Sequence, residues 1–229
     1  MKFRSILILA FIAAIFLIFN MSVNCQTVKQ IDSISIFEKA RSPKEDLTKF
    51  LIKQTVYPKE AIINDIQGDV VLSFIIKKNG KLDSLLVMSS SNSSLSAWSL
   101  VAFTSIEGNW IPCKINNTPI DKKYIVVFRF RRYMNIQPPA YESNAEKYFK
   151  DKKYEKALKL YDKAIKDNEY VSQLFKARSV VKKILGDETG SQQDHIRSIN
   201  LQQEIMSVVD IIARGSTNVV TIKGPITKY

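Results

Sequence analysis

Histidine occurs once in 229 residues, at His195, and cysteine twice, at Cys25 and Cys113. Nucleophilic triads and soft-metal clusters need more of these residues than the chain has. Seven glycines are scattered along the sequence and none builds a phosphate-cradling loop. A carboxylate pair such as Asp65 and Asp69 is the acid–base arrangement left over, and acids in loops and turns are usually solvated. The expectation is therefore a non-enzymatic protein with no metal and no cofactor. Two cysteines also give no disulfide framework if Cys25 is removed or lipidated, so stability must come from packing. Cys113 follows Trp110-Ile111-Pro112 and reads as a small buried apolar side chain. No apolar run reaches the ~20 residues of a spanning helix.

The longest apolar run, Ile6 to Phe19, follows Lys2 and Arg4, which is the layout of an export signal. Three readings stand: cleavage after Cys25 to leave Gln26 first, retention of Ile6 to Val23 as an inner-membrane anchor, or lipid attachment at Cys25. All three send the chain to the periplasm or cell envelope. The net charge of +12 and pI of about 9.6 would suggest nucleic acid in a cytosolic protein. Export argues against that partner, and the lysines are spread through every segment as on a solvated surface. An anionic membrane or cell-wall polymer is the partner this charge suits.

Residues 26–41 have little periodicity and read as a linker. Ser42-Pro43-Lys44-Glu45 reads as a capped helix start, with Leu47, Phe50 and Leu51 on one stripe. Tyr57-Pro58 ends that helix, and Pro58 opens a short one over Lys59 to Asn64. Val70, Leu72, Phe74 and Ile76 alternate as the apolar face of a strand. Asn79-Gly80 reads as a two-residue hairpin turn, and Leu82 to Ser89 as the returning strand. A serine-capped helix carries Leu95, Trp98, Val101, Ala102 and Ile106 to Gly108. Trp110 to Pro119 reads as a loop. Then Tyr124, Val126, Phe128 and Phe130 alternate with Ile125, Val127, Arg129 and Arg131. The order implies an α+β fold: a small antiparallel sheet with helices on one side, over 42–132.

The two prolines in 133–140 suggest a linker, and 141–214 turns helical. Ala145, Tyr148, Tyr154, Ala157, Tyr161 and Ala164 mark two helices. A shift of 34 residues carries Ala145, Ala157 and Ala164 onto Ser179, Ser191 and Ser198, Ile165 onto Ile199, Tyr161 onto His195 and Lys152 onto Gly186. Small residues at fixed period let paired helices approach closely. Gln203 to Ala213 reads as a closing helix, which leaves 215–229 as a tail with a possible strand at Val219 to Ile222.

Together, Tyr57-Pro58, Gly68-Asp69-Val70, Asn79-Gly80 and Trp110-Ile111-Pro112 at this spacing resemble the TonB C-terminal domain, over about Leu47 to Arg132. The helical segment resembles degenerate tetratricopeptide (TPR) repeats, with Ala145, Tyr148, Ala157, Tyr161 and Ala164 as packing positions. The first resemblance implies capture of a peptide segment from an outer-membrane TonB-dependent receptor, or another envelope protein, by strand addition. Here the implied edge is Tyr124, Ile125, Val126, Val127, Phe128, Arg129 and Phe130. Arg129, Arg131 and Arg132 would then favour an acidic partner. The alternative is that the chain's own tail covers that edge. A second functional reading is an envelope scaffold that holds a protein on the TPR-like helices. Transducers of this family also carry a long spacer; the 31 residues from Gln26 to Tyr57 span at most ~100 Å.

Overall fold

A computed structural model describes residues 35–134, 137–216 and 219–222. The first element described is strand β1 (Phe37–Glu38). Helix α1 (Leu47–Gln54) starts four residues later than the serine-proline pair suggests, because Asp46 caps it by accepting from the Lys49 amide. Ser42 makes only a local turn with the Lys44 amide. Helix α2 (Lys59–Ile63) opens after Pro58.

Strands β2 (Gly68–Ile76) and β3 (Leu82–Ser90) form the expected hairpin, but its loop has three residues. The Gly80 amide donates to the Lys77 carbonyl at 2.8 Å, and only Gly80 takes the left-handed conformation, at φ +80°. That is a tight turn closed by a left-handed glycine, in place of the two-residue turn with both φ positive. Helix α3 (Ser93–Thr104) follows, capped by Asn92 and not by a serine. The stretch read as a loop holds strands β4 (Cys113–Ile115) and β5 (Thr118–Ile120). Asn116 and Asn117 join them, both at positive φ, as a two-residue hairpin requires. β1 pairs with β4, and Arg41 bridges Ile111, so the last residues of the supposed linker belong to a small second sheet.

β6 (Lys122–Met134) is followed by helices α4 (Tyr141–Lys150), α5 (Tyr154–Asp167), α6 (Ser172–Ile184) and α7 (Glu188–Glu204). The 34-residue offset is built into the backbone. The Lys153 amide donates to Tyr148 and the Asp187 amide to Lys182, both at 2.9 Å, and the turn residues Lys152 and Gly186 both have positive φ. Ala145, Ala157, Ala164 and their counterparts Ser179, Ser191 and Ser198 are all buried.

Beyond α7 the expected closing helix is absent. Ile205–Ser216 is a strand, β7, and Val219–Ile222 is β8. The larger sheet runs β3-β2-β6-β7-β8. β7 lies parallel to β6, with one slip between Ile125 opposite Ile205 and Val126 opposite Ser207, and then in register to Met134 opposite Gly215. The α+β class holds, but the sheet is mixed, and the four helices form the crossover between two neighbouring parallel strands. They are not a unit tethered by a linker: β7 returns from them into the sheet.

The main core lies between the sheet and α1 to α3. It takes Val70, Leu72, Phe74 and Ile76 from β2, Tyr124, Val126, Phe128 and Phe130 from β6, and Val209, Ile211 and Ala213 from β7. The four-helix segment has its own apolar cluster, including Ala145, Ala157, Tyr161, Leu174 and Leu201.

Candidate partner-binding site

The motif residues hold the domain together. Tyr57 is fully buried, donates its hydroxyl to the Ile66 carbonyl at 2.8 Å and meets Phe130 edge-on at 5.3 Å. Burial, with Asp65 adding to it, pushes its pKa up to about 12. Pro58 sits at the start of α2. Trp110 packs on Phe74 at 5.5 Å, and its amide donates to the Gly80 carbonyl at 3.0 Å. A Cβ on Gly80 would collide with the Trp110 carbonyl, so glycine is needed there for the turn and for the approach. Gly68 is hemmed in likewise by the Ser91 side chain. Asn79 tightens the turn by accepting from the Lys81 amide, and Pro112, half buried, leads into β4. Cys113 is a buried free thiol.

The strand expected to be an open rim is not one. Ile125, Val126, Val127, Phe128, Arg129 and Phe130 lie between β2 and β7 and are paired on both sides, while Tyr124, just ahead of the β7 pairing, is paired with β2 alone. Both faces are covered as well. Val127 and Arg129 are buried on the side away from Phe128 and Phe130. The tail strand β8 is not what closes the rim: it pairs with Ala213 to Ser216 of β7.

The three arginines serve the fold too. Arg129 donates to Asp210 at 2.8 Å, and to both the carboxylate and the carbonyl of Asp167, at 2.8 and 2.7 Å. It therefore joins β6 to β7 and to the end of α5. Burial raises the pKa of Asp210, against the pull of Arg129. Arg131 pairs with Asp69 at 2.6 Å and Arg132 with Asp65 at 2.7 Å. The Asp65 and Asp69 carboxylates are thus structural ion-pair partners.

In the helical segment Ala145, Ala157, Tyr161 and Ala164 are buried and Tyr148 is half buried. His195, expected in a core position, is exposed, as is Ile199. Asp194 is the buried neighbour. Arg178 grips it through Nε and Nη2 at 2.7 Å, and Lys182 lies 2.9 Å away.

Two of the open strand edges among the described residues lie beside the central strands of the larger sheet. β3 is one, and it carries exposed Leu82, Leu86, Val87 and Met88. Its pairing with β2 slips twice, and Ser84 has positive φ. The other is the outer side of β7 from Ile205 to Ile212, upstream of its pairing with β8. A cleft of about 490 Å³ opens at the start of β7, lined by Ala40, Leu47, Ile111 and Met206 with three cations, Lys39, Arg41 and Lys44, and one acid, Glu45, around it. Lys39 donates to the Ile205 carbonyl at 2.5 Å. Burial and the nearby Lys122 lower its pKa. Among the described residues no carboxylate pairs with Lys39, Arg41, Lys44 or Lys122. Sequence reading missed this site because its parts lie 166 residues apart, from Lys39 to Ile205.

The fold and the packed motif residues define a TonB-type α+β domain. The family model for the Gram-negative bacterial TonB protein C-terminal matches residues 53–131, about a third of the chain, and that stretch is similar to this family. No curated protein and no solved structure matches the chain. Residues 137–222 lie outside the match. Among the described residues no helix is long and apolar enough to cross a membrane, and no group of three or more potential ligands is placed to hold a metal.

Proposed function

We propose that this is a periplasmic TonB-like protein that binds an extended segment of an envelope protein by strand addition, in the service of TonB-dependent outer-membrane transport. The receiving edge is the outer side of β7, Ile205 to Ile212, one strand beyond the edge the family resemblance implies. The observation that carries this reading is the unpaired length of β7 beginning at a basic-rimmed cleft. An unpaired strand side offers main-chain donors and acceptors to a visiting strand. The lysines and arginine at its start favour a segment with acidic residues, which gain charge-assisted hydrogen bonds there. β3 is the poorer receiver, since bulges interrupt a regular ladder.

The test is amide hydrogen exchange with synthetic N-terminal peptides of outer-membrane transporters. Protection is expected to rise over Ile205 to Ile212 and to fall away with added salt. Protection confined to Leu82 to Ser90, or none anywhere, refutes the reading.

A further inference from the structure

The two helical hairpins repeat, so the outward face of the second can be compared with the face of the first that carries it. A cleft of about 490 Å³ lies between α6 and α7, lined in part by Ser179, Lys183, Glu188, Ser191 and His195. Shifted back by 34 residues, these positions are Ala145, Phe149, Tyr154, Ala157 and Tyr161, all within the cluster where the hairpins pack. The cleft is thus the place where a third hairpin would seat. The chain supplies none among the described residues, because it leaves α7 for β7.

The outer face is also not built as an end. A terminal repeat needs a polar outer surface. Here Val180 and Ile184 on α6 and Ile196 and Ile199 on α7 are 44, 47, 51 and 40% exposed. Between the hairpins, Asp162 pairs with Arg178 at 2.8 Å. The position 34 residues after Asp162 is the exposed Ile196, so the ionic seam gives way to an apolar one.

We infer that a second copy of this chain covers this face, in a two-fold dimer of α6/α7 against α6/α7. A two-fold contact must be complementary to itself. This face carries both signs of charge and apolar surface: exposed aliphatic side chains lie beside a cleft that includes Ser179 and Ser191, and Lys183 and Glu188 line that same cleft. The proposed two-fold is the one that sets each Lys183 opposite the partner's Glu188. Charge does not oppose the contact. Residues 141–204 hold thirteen lysines and arginines against eleven acids, so most of the net charge of +12 lies elsewhere. A two-helix face of this length buries on the order of 500 Å² per copy, which is the low end of specific interfaces and fits a reversible dimer.

The experiment is analytical ultracentrifugation of the full-length chain in mild detergent. A concentration-dependent dimer is expected. Ile196→Glu, at an exposed position that leaves the fold intact by circular dichroism, is expected to give monomer. Lys183→Glu alone is expected to weaken dimerisation roughly tenfold, and Lys183→Glu with Glu188→Lys to restore it. A chain that stays monomeric to ~1 mM, or a dimer indifferent to Ile196→Glu, overturns the assignment. A charge swap no tighter than its single variants overturns the two-fold pairing.

Discussion

Replacing Arg129 separates an outward-facing arginine from a buried joint. A partner-facing arginine contributes little to stability, within about 0.5 kcal/mol on replacement. The structure instead buries its guanidinium against Asp210, Asp167 and the Asp167 carbonyl. Arg129→Ala removes two ion pairs, one charged hydrogen bond and the packing of the aliphatic stem. The two carboxylates are 38 and 43% exposed, so they recover water when the arginine leaves, and the loss stays below that of a fully buried pair. The expected cost is about 2–3 kcal/mol. Arg129→Met keeps the stem, removes the charge and should lose less. Asp210→Asn with Asp167→Asn leaves the buried guanidinium without a counter-charge and should lose at least as much as Arg129→Ala. Urea titration followed by circular dichroism reads these values. If Arg129→Ala shifts the midpoint by less than 0.5 kcal/mol, the claim that this arginine locks the helical crossover onto the sheet is refuted.

Ile211→Ala should cost about 3 kcal/mol in the same titration, because β7 fills part of the main core; an unchanged midpoint would mean that β7 is dispensable. Gly80→Ala places a Cβ at φ +80° against the Trp110 carbonyl and should cost about 2 kcal/mol, read as a lower melting temperature. Asp194 is subject to opposing effects: burial raises its pKa, while hydrogen bonds from Arg178 and Lys182 outweigh that and hold it below its ordinary value of 3.8. A depressed carboxylate pKa stabilises the fold above the unfolded-state value, and the contribution is lost as pH falls through the folded one. Wild type should therefore exceed Asp194→Asn in stability at neutral pH, and the gap should close on acidification below about pH 4; a gap independent of pH contradicts this.

Local order from Leu47 to Thr104 and again over Tyr124 to Phe130 was legible because it rests on short-range chemistry, whereas β4 and β5 between them were read as a loop. Alternation at Val70 to Ile76, the turn at Asn79-Gly80 and the Tyr57-Pro58 break each act within a few residues. The 34-residue offset was legible for the same reason: Ala145, Ala157 and Ala164 and their serine counterparts mark helix contacts that the backbone repeats. Two errors came from reading one face of a pattern. Tyr124 to Phe130 is an almost unbroken apolar run, which is how a strand covered on both faces reads. Ile205 to Ala213 showed apolar spacing compatible with a helix, but Val208, Val209, Ile211 and Ile212 are β-branched residues that suit a strand.

What the sequence by itself determined was the identity of helices α1 to α3 and strands β2, β3 and β6, the TonB-like motif set and the paired small positions of the helices. What only the tertiary structure decided was the neighbour of β6. The choice between an open rim and a paired one depends on whether a segment some 80 residues away returns to it. That return is driven by burying Val209, Ile211 and Ala213 and by Arg129 meeting Asp210, contacts that exist only once the chain has folded back on itself.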